Sequence, residues 1–176
     1  VDAALLSRVK TLSPAERLEL IGAVWETLSP ADAPVTAEEK VLLDARLADL
    51  DNSPEDQSPW SEVKRGCGAI ALSYRVYVRS AAARDIVEAQ NWYEAQQQGL
   101  AAEFHAEFSA MLGSLAETPL IYPLLYREVR RAVLHRFPYL VWYRVQNSTA
   151  TVIAVHMAGL AQADIRTATG KVMPGN

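Results

Sequence analysis

The side chains able to do chemistry crowd into one stretch, YREVRRAVLHRFPYLVWYRVQNSTATVIAVH, from Tyr126 to His156. It holds Arg127, Arg130, Arg131, Arg136 and Arg144 together with Tyr143 and His156. Guanidinium groups present rigid forks of donors to phosphate or carboxylate, and a histidine exchanges a proton near neutral pH. The residues between them are β-branched and aromatic. The stretch therefore reads as an antiparallel meander of three strands, Tyr126 to Leu134, Tyr139 to Gln146 and Thr149 to His156, broken at Phe137-Pro138 and Asn147-Ser148. One sheet must carry both a core face and a band of cations.

Each of these side chains also has a purely structural use. Strand alternation sets Tyr143 with Tyr139, Val141 and Val145, an apolar company, and sets Arg144 with Leu140 and Trp142. It sets His156 with Ala150, Val152 and Ala154. Arg127, Arg130 and Arg131 cannot all share one face, and each has Glu128 or the acidic first half of the chain as an available partner.

The elements that must position this stretch precede it. Tyr74 to Arg79 alternates as a strand, and Ser80 is placed to cap a helix over Ala81 to Gln98 with Ile86, Val87, Ala89, Trp92 and Tyr93 inward. Gly99 ends that helix. A second, Leu100 to Glu117, carries Phe104, Phe108, Met111, Leu112 and Leu115 at helical spacing before Thr118-Pro119 stops it. The order β-α-α-β-β-β predicts a small α+β domain, a helical hairpin packed on an antiparallel sheet.

Residues 1–66 are different in kind. Ser13-Pro14-Ala15-Glu16 and Thr36-Ala37-Glu38-Glu39 both spell capping boxes. The first opens a helix with an apolar stripe of Leu18, Ile21, Val24, Trp25 and Leu28; the second opens one with Val41, Leu42, Ala45, Leu47 and Leu50 apolar and Glu38, Glu39, Lys40, Asp44 and Arg46 solvated. DNSPEDQSP, 51–59, has no apolar residue and reads as an extended arm, followed by Trp60 and a short helical turn. Two stripes in so short a segment need a partner. Trp60, alone in a polar arm, is the pointer to docking.

Bulk composition narrows the class. The single Cys67, in a Gly-Cys-Gly stretch, excludes a disulfide framework and a multi-cysteine metal site. No apolar run is long enough for a membrane span and the first residues lack the order of a signal peptide, so a cytoplasmic protein without membrane contact is expected. Charge splits the chain: residues 1–66 hold 13 acidic against 7 basic side chains, residues 74–176 hold 8 against 10. An acidic segment can mask a basic surface.

Residues 74–156, with the helix ending WYE at Trp92 to Glu94, the VRRAVLHRFPYLVWYRV block and the strand ending in His156, resemble the RelE/ParE superfamily of bacterial toxins. LSPAERLELIGAVWETLSP, LDARLADLDNSP and PWSEVK, within residues 5–65, resemble the small addiction-module antitoxins found beside them. The resemblance implies a plasmid-stabilising toxin–antitoxin pair in one chain: an antitoxin segment at 1–66, a linker at 67–73 and a toxin domain at 74–176. It implies that the antitoxin arm wraps the toxin, with Leu47, Leu50, Trp60 and Val63 in contact. Superfamily toxins poison DNA gyrase or cut mRNA on the ribosome without a metal or other cofactor. On that footing Arg130, Arg131, Tyr143 and His156 are the candidate catalytic residues, since in-line attack by a 2′-OH needs a proton acceptor, a donor and cations on the developing charge. Arg127, Arg136 and Arg144 are the candidates for target binding.

The chain departs from the superfamily after the strand-ending histidine. HMAGLAQADIRTATG has no basic residue before Arg166, where many relatives carry a basic tail. That favours the gyrase-poisoning branch or an inactive toxin over an mRNA endonuclease. An operator-binding autoregulator is a third reading, weakened by the acidic first half. A homodimer, with arms docked in cis or exchanged, is expected from the exposed stripes.

Overall fold

The computed structural model describes residues 2–27, 34–60 and 74–158. Three helices come first. α1 (Ala3–Thr11) begins where the Asp2 carboxylate accepts from the Ala4 N–H, and α2 (Pro14–Glu26) where Ser13 and Glu16 exchange hydrogen bonds. α3 (Ala37–Asn52) opens on a full capping box, with Thr36 Oγ1 accepting from the Glu39 N–H and Glu39 Oε2 accepting from the Thr36 N–H at 2.8 Å. Then follow β1 (Gln57–Pro59), β2 (Arg75–Arg79), α4 (Ser80–Gln96), α5 (Leu100–Glu117), β3 (Leu124–Tyr126), β4 (Val129–Val133), β5 (Tyr139–Gln146) and β6 (Thr149–Met157). The class is α+β, as the element order predicts.

The six strands form one sheet in the order β1-β2-β6-β5-β4-β3, antiparallel except where β2 meets β6. Alternation along β5 gives the sheet two buried faces. Tyr139, Val141 and Tyr143 join α4 and α5 around Tyr93, Phe104, Phe108 and Leu112. Leu140 and Trp142, with Val129, Ile153 and Ala154, face the other way and are covered by Leu43, Leu47 and Leu50 of α3. The sheet thus lies between the helical hairpin and a helix from the first half.

Several local expectations change. The run from Tyr126 divides at Arg127 and Glu128, with Arg127 at φ +47°, so there are four strands after the hairpin rather than three. Asn147 and Ser148 both take positive φ, the geometry a tight β5–β6 turn requires. Ser80 is the first residue of α4 rather than its cap; Arg79 holds the cap position and the Ser80 hydroxyl pairs with Asp56 instead. Val87 points outward while Ala82, Ile86, Ala89 and Tyr93 point in. On α3 the docking stripe is Glu39, Leu43, Leu47 and Leu50, and Val41 is 72% exposed. Trp142 pairs with Ala154 and Tyr143 with Val152, so Ile153 is a bulge residue that resets the alternation of β6. Ala150 and Val152 therefore face the hairpin, and Ala154 turns with Ile153 toward α3.

The polar arm is not merely a linker. Residues Gln57–Pro59 add a strand to the β2 edge, with Gln57 opposite Arg79 and Pro59 opposite Tyr77. Trp60 then turns into the hairpin core, edge-on to Phe108 at 5.9 Å. Val63, Leu28 and the linker at 67–73 lie outside the described residues. Since Leu43 is fully buried beneath the sheet, Leu43→Ala is expected to lower unfolding stability by about 2–5 kcal/mol in a urea titration, and Val41→Ala by less than about 0.5 kcal/mol.

Candidate functional site

The site lies on the α3 face of the sheet. At its centre the Trp142 indole N–H donates to His156 Nε2 at 2.8 Å, which leaves that nitrogen without a proton. The proton of the neutral ring then sits on Nδ1, which donates to the Met157 carbonyl at 3.1 Å. Arg131, from the neighbouring β4, places its guanidinium 5.3 Å from the Trp142 ring centroid and is 1% exposed. Glu39 reaches in from the first turn of α3, its Oε1 3.7 Å from His156 Nε2. Burial pushes the His156 pKa down, against the pull of the Met157 carbonyl and Glu39, while Arg131 and Arg46 push the same way as burial. Burial also lowers the Arg131 pKa, opposed by Glu39.

Around this centre runs a ring of ion pairs with one polarity. Asp44 accepts from the Tyr126 hydroxyl at 2.9 Å and pairs with Arg127 at 3.2 Å. Asp51 pairs with Arg144 at 3.0 Å, where Glu128 stands 3.7 Å away on the other side. Arg79, buried at the end of β2, donates to the Asp49 carboxylate at 2.6 Å, to the Asp49 carbonyl at 3.1 Å and to the Ser53 carbonyl. That guanidinium binds the last turn of α3 to the sheet. Such a buried, multiply bonded cation is expensive to strip of its partner, about 3–5 kcal/mol, whereas exposed rim pairs are worth about 0–1 kcal/mol each. One pair runs the other way: Arg46 of α3 donates to both oxygens of Asp85 on α4, at 2.9 and 3.1 Å, while Asp85 Oδ2 also accepts from the Val155 N–H at 3.2 Å.

The residues singled out from sequence fall into three places. Arg131 and His156 meet at the centre beneath α3, and Arg127 and Arg144 flank them at the rim. Arg130 and Tyr143 project to the opposite face. Arg130 donates to the carbonyls of Leu120 and Tyr122, and the Tyr143 hydroxyl donates to the Pro119 carbonyl at 2.5 Å. Burial raises the Tyr143 pKa far above neutrality. Arg136 stands by the hairpin, bonded to Glu103 at 2.5 Å and close to the Phe137 ring. Leu47 and Leu50 pack under α3, and Trp60 packs against the hairpin. Nothing in the sequence singles out Arg79, Asp85, Leu43 or the second duty of Glu39. The first two carry no local signal, since a charged residue ending a strand or lying on a helix is normally solvated.

In this state neither His156 nor Tyr143 is poised to move a proton, because each spends its donor on a carbonyl and His156 also accepts from Trp142. What the face does is hold an acidic helix. A buried neutral His156 predicts acid sensitivity with a definite sign. Its folded pKa lies below its unfolded value, so its contribution is full above the unfolded value of about pH 6.5 and is lost as pH falls from there through the lower folded value. Urea unfolding at pH 8 and pH 5 is expected to show a larger loss for the natural chain than for His156→Gln.

Residues 11–63 match the family model described as "Putative addiction module component", and residues 76–157 match that of the "ParE toxin of type II toxin-antitoxin system, parDE". No curated protein matches the chain. Among solved structures, one titled "Chromosomal ParDE TA system from P. aeruginosa" is 15% identical with a TM-score of 0.45, over 49% of this chain and 98% of that one. The first match ends in the arm that carries β1 and Trp60, and the second runs from β2 to the end of β6. One chain thus carries, in succession, a segment that matches an addiction-module antitoxin family and a segment that matches a ParE toxin family.

Proposed function

We propose that the chain is a self-neutralised toxin–antitoxin module, with antitoxin at 1–66, a linker at 67–73 and toxin at 74–176. The reading rests on one observation: three acids of α3, Asp44, Asp49 and Asp51, meet the cations Arg127, Arg79 and Arg144 of a single toxin face, and a fourth, Glu39, lies against the neutral His156 ring at its centre. That cover would silence the toxin by occupying the surface its target needs. The β1–β2 register supports docking in cis, because it sets Trp60 near Val76, and residues 61–73 have only to join neighbouring strand ends. A short tether holds the antitoxin at about millimolar local concentration. Release then calls for proteolysis.

For the target we infer DNA gyrase, the class the ParE resemblance implies. The separation of Arg130 and Tyr143 from Arg131 and His156 favours this over mRNA cleavage, since among the described residues no acid–base pair converges with the cations. An mRNA endonuclease built on Arg131 and His156 is the second reading, supported by their closeness beneath α3. Leu5, Leu6, Ile21 and Val24, exposed on α1 and α2, support self-association into a homodimer. Induction of residues 74–176 is expected to arrest growth with gyrase-linked DNA breaks and intact mRNA, and the full chain to leave growth unchanged. Ribosome-dependent mRNA loss, abolished by Arg131→Ala, would transfer the proposal to the second reading. Normal growth with folded toxin present would contradict both.

A further inference from the structure

The polarity of the interface carries more information than its strength. Among the described residues, the acids of α3 and the arm meet cations of the sheet domain at Arg79, Arg127 and Arg144. At the rim this is a loose requirement. Asp44 and Asp51 are 43% and 65% exposed, and solvated pairs of that kind would accept many acidic amphipathic helices.

Arg46 and Asp85 reverse the rule in a site that water hardly reaches, with side chains 15% and 5% exposed. Asp85 belongs to α4 and accepts from the Val155 N–H, so it is part of the toxin domain and faces whatever helix lies there. Burial disfavours its charge, and Arg46, as a cation and as a hydrogen-bond donor, opposes that cost together with the Val155 N–H. A helix with an apolar residue at this position would leave a buried carboxylate without that cation. One with an acid would bring two carboxylates together in the same dry site, which is discrimination by repulsion.

On the reading that α3 is the antitoxin helix, we propose that Asp85 is the residue by which this toxin sheet admits its own α3 and rejects the acidic antitoxin helices of other modules, with Arg46 as the matching feature. The rim cations attract the class; Asp85 selects the member.

The test uses the full chain and amide hydrogen exchange, which reads the opening of α3 against the global opening reported by α5. Arg46→Glu is expected to raise exchange in α3 by at least roughly tenfold while α5 stays protected. The reversed pair, R46E with D85R, is expected to return α3 to within about threefold of the natural chain, the coupling a double-mutant cycle isolates. Because Asp85 also receives the Val155 N–H, D85R can fail to fold. D85N then decides: in that background R46E should open α3 no more than about threefold beyond R46A. The proposal is overturned if R46E leaves α3 as protected as in the natural chain, or if the penalty of R46E persists undiminished in D85N. Growth is scored separately. An R46E chain that opens α3 without arresting growth counts against the toxin reading and leaves the recognition pair standing.

Discussion

A sheet that is apolar on both faces cannot be left covered on only one. β5 reads YLVWYRV, and from Tyr139 to Tyr143 every side chain is buried, because the hairpin takes the odd positions and α3 takes Leu140 and Trp142. The rest of the structure follows from that constraint. The toxin-family segment supplies cover for one face from its own chain, and the second face is completed by a helix from the antitoxin-family segment. Removing α3 would expose Leu140, Trp142 and Ile153 within a ring of arginines, the kind of patch that binds a partner or aggregates.

The two halves meet through unlike physics in different zones. Leu43, Leu47 and Leu50 supply the apolar seam. Arg79 anchors the last turn of α3, and since its hydrogen bonds reach main-chain carbonyls as well as Asp49, it fixes where the helix ends. The capping box fixes where it begins, and Glu39 links that start to His156 and Arg131. β1 then converts the remaining arm into main-chain pairing along an edge that would otherwise be open. Position comes from the buried polar groups and adhesion from the leucines, while the exposed ion pairs at the rim add little.

Much of this was legible in the residues. The hairpin helices were clear because Phe104, Phe108, Met111, Leu112 and Leu115 keep strict helical spacing, and the second capping box was clear because its chemistry is local. The docking stripe of α3 was misread because Val41 and Leu43 are equally apolar, and only the sheet decides which one faces it. The company of His156 was misread because a bulge at Ile153 leaves no mark in an all-apolar strand. β1 was hidden since QSP has no strand preference and exists as a strand only by pairing with β2. The candidate cations were found as a group, but their division between two faces depended on where Arg127 breaks the run.

The central claim is that α3 occupies the Trp142 face of the sheet. Nuclear Overhauser effects on the methyl-labelled full chain test it most directly. The account predicts contacts from the methyls of Leu43, Leu47 and Leu50 to the Trp142 ring and the Ile153 methyls, alongside those from Leu112 to the hairpin aromatics. Hairpin contacts of full intensity with none from α3 to Trp142 or Ile153 would contradict it.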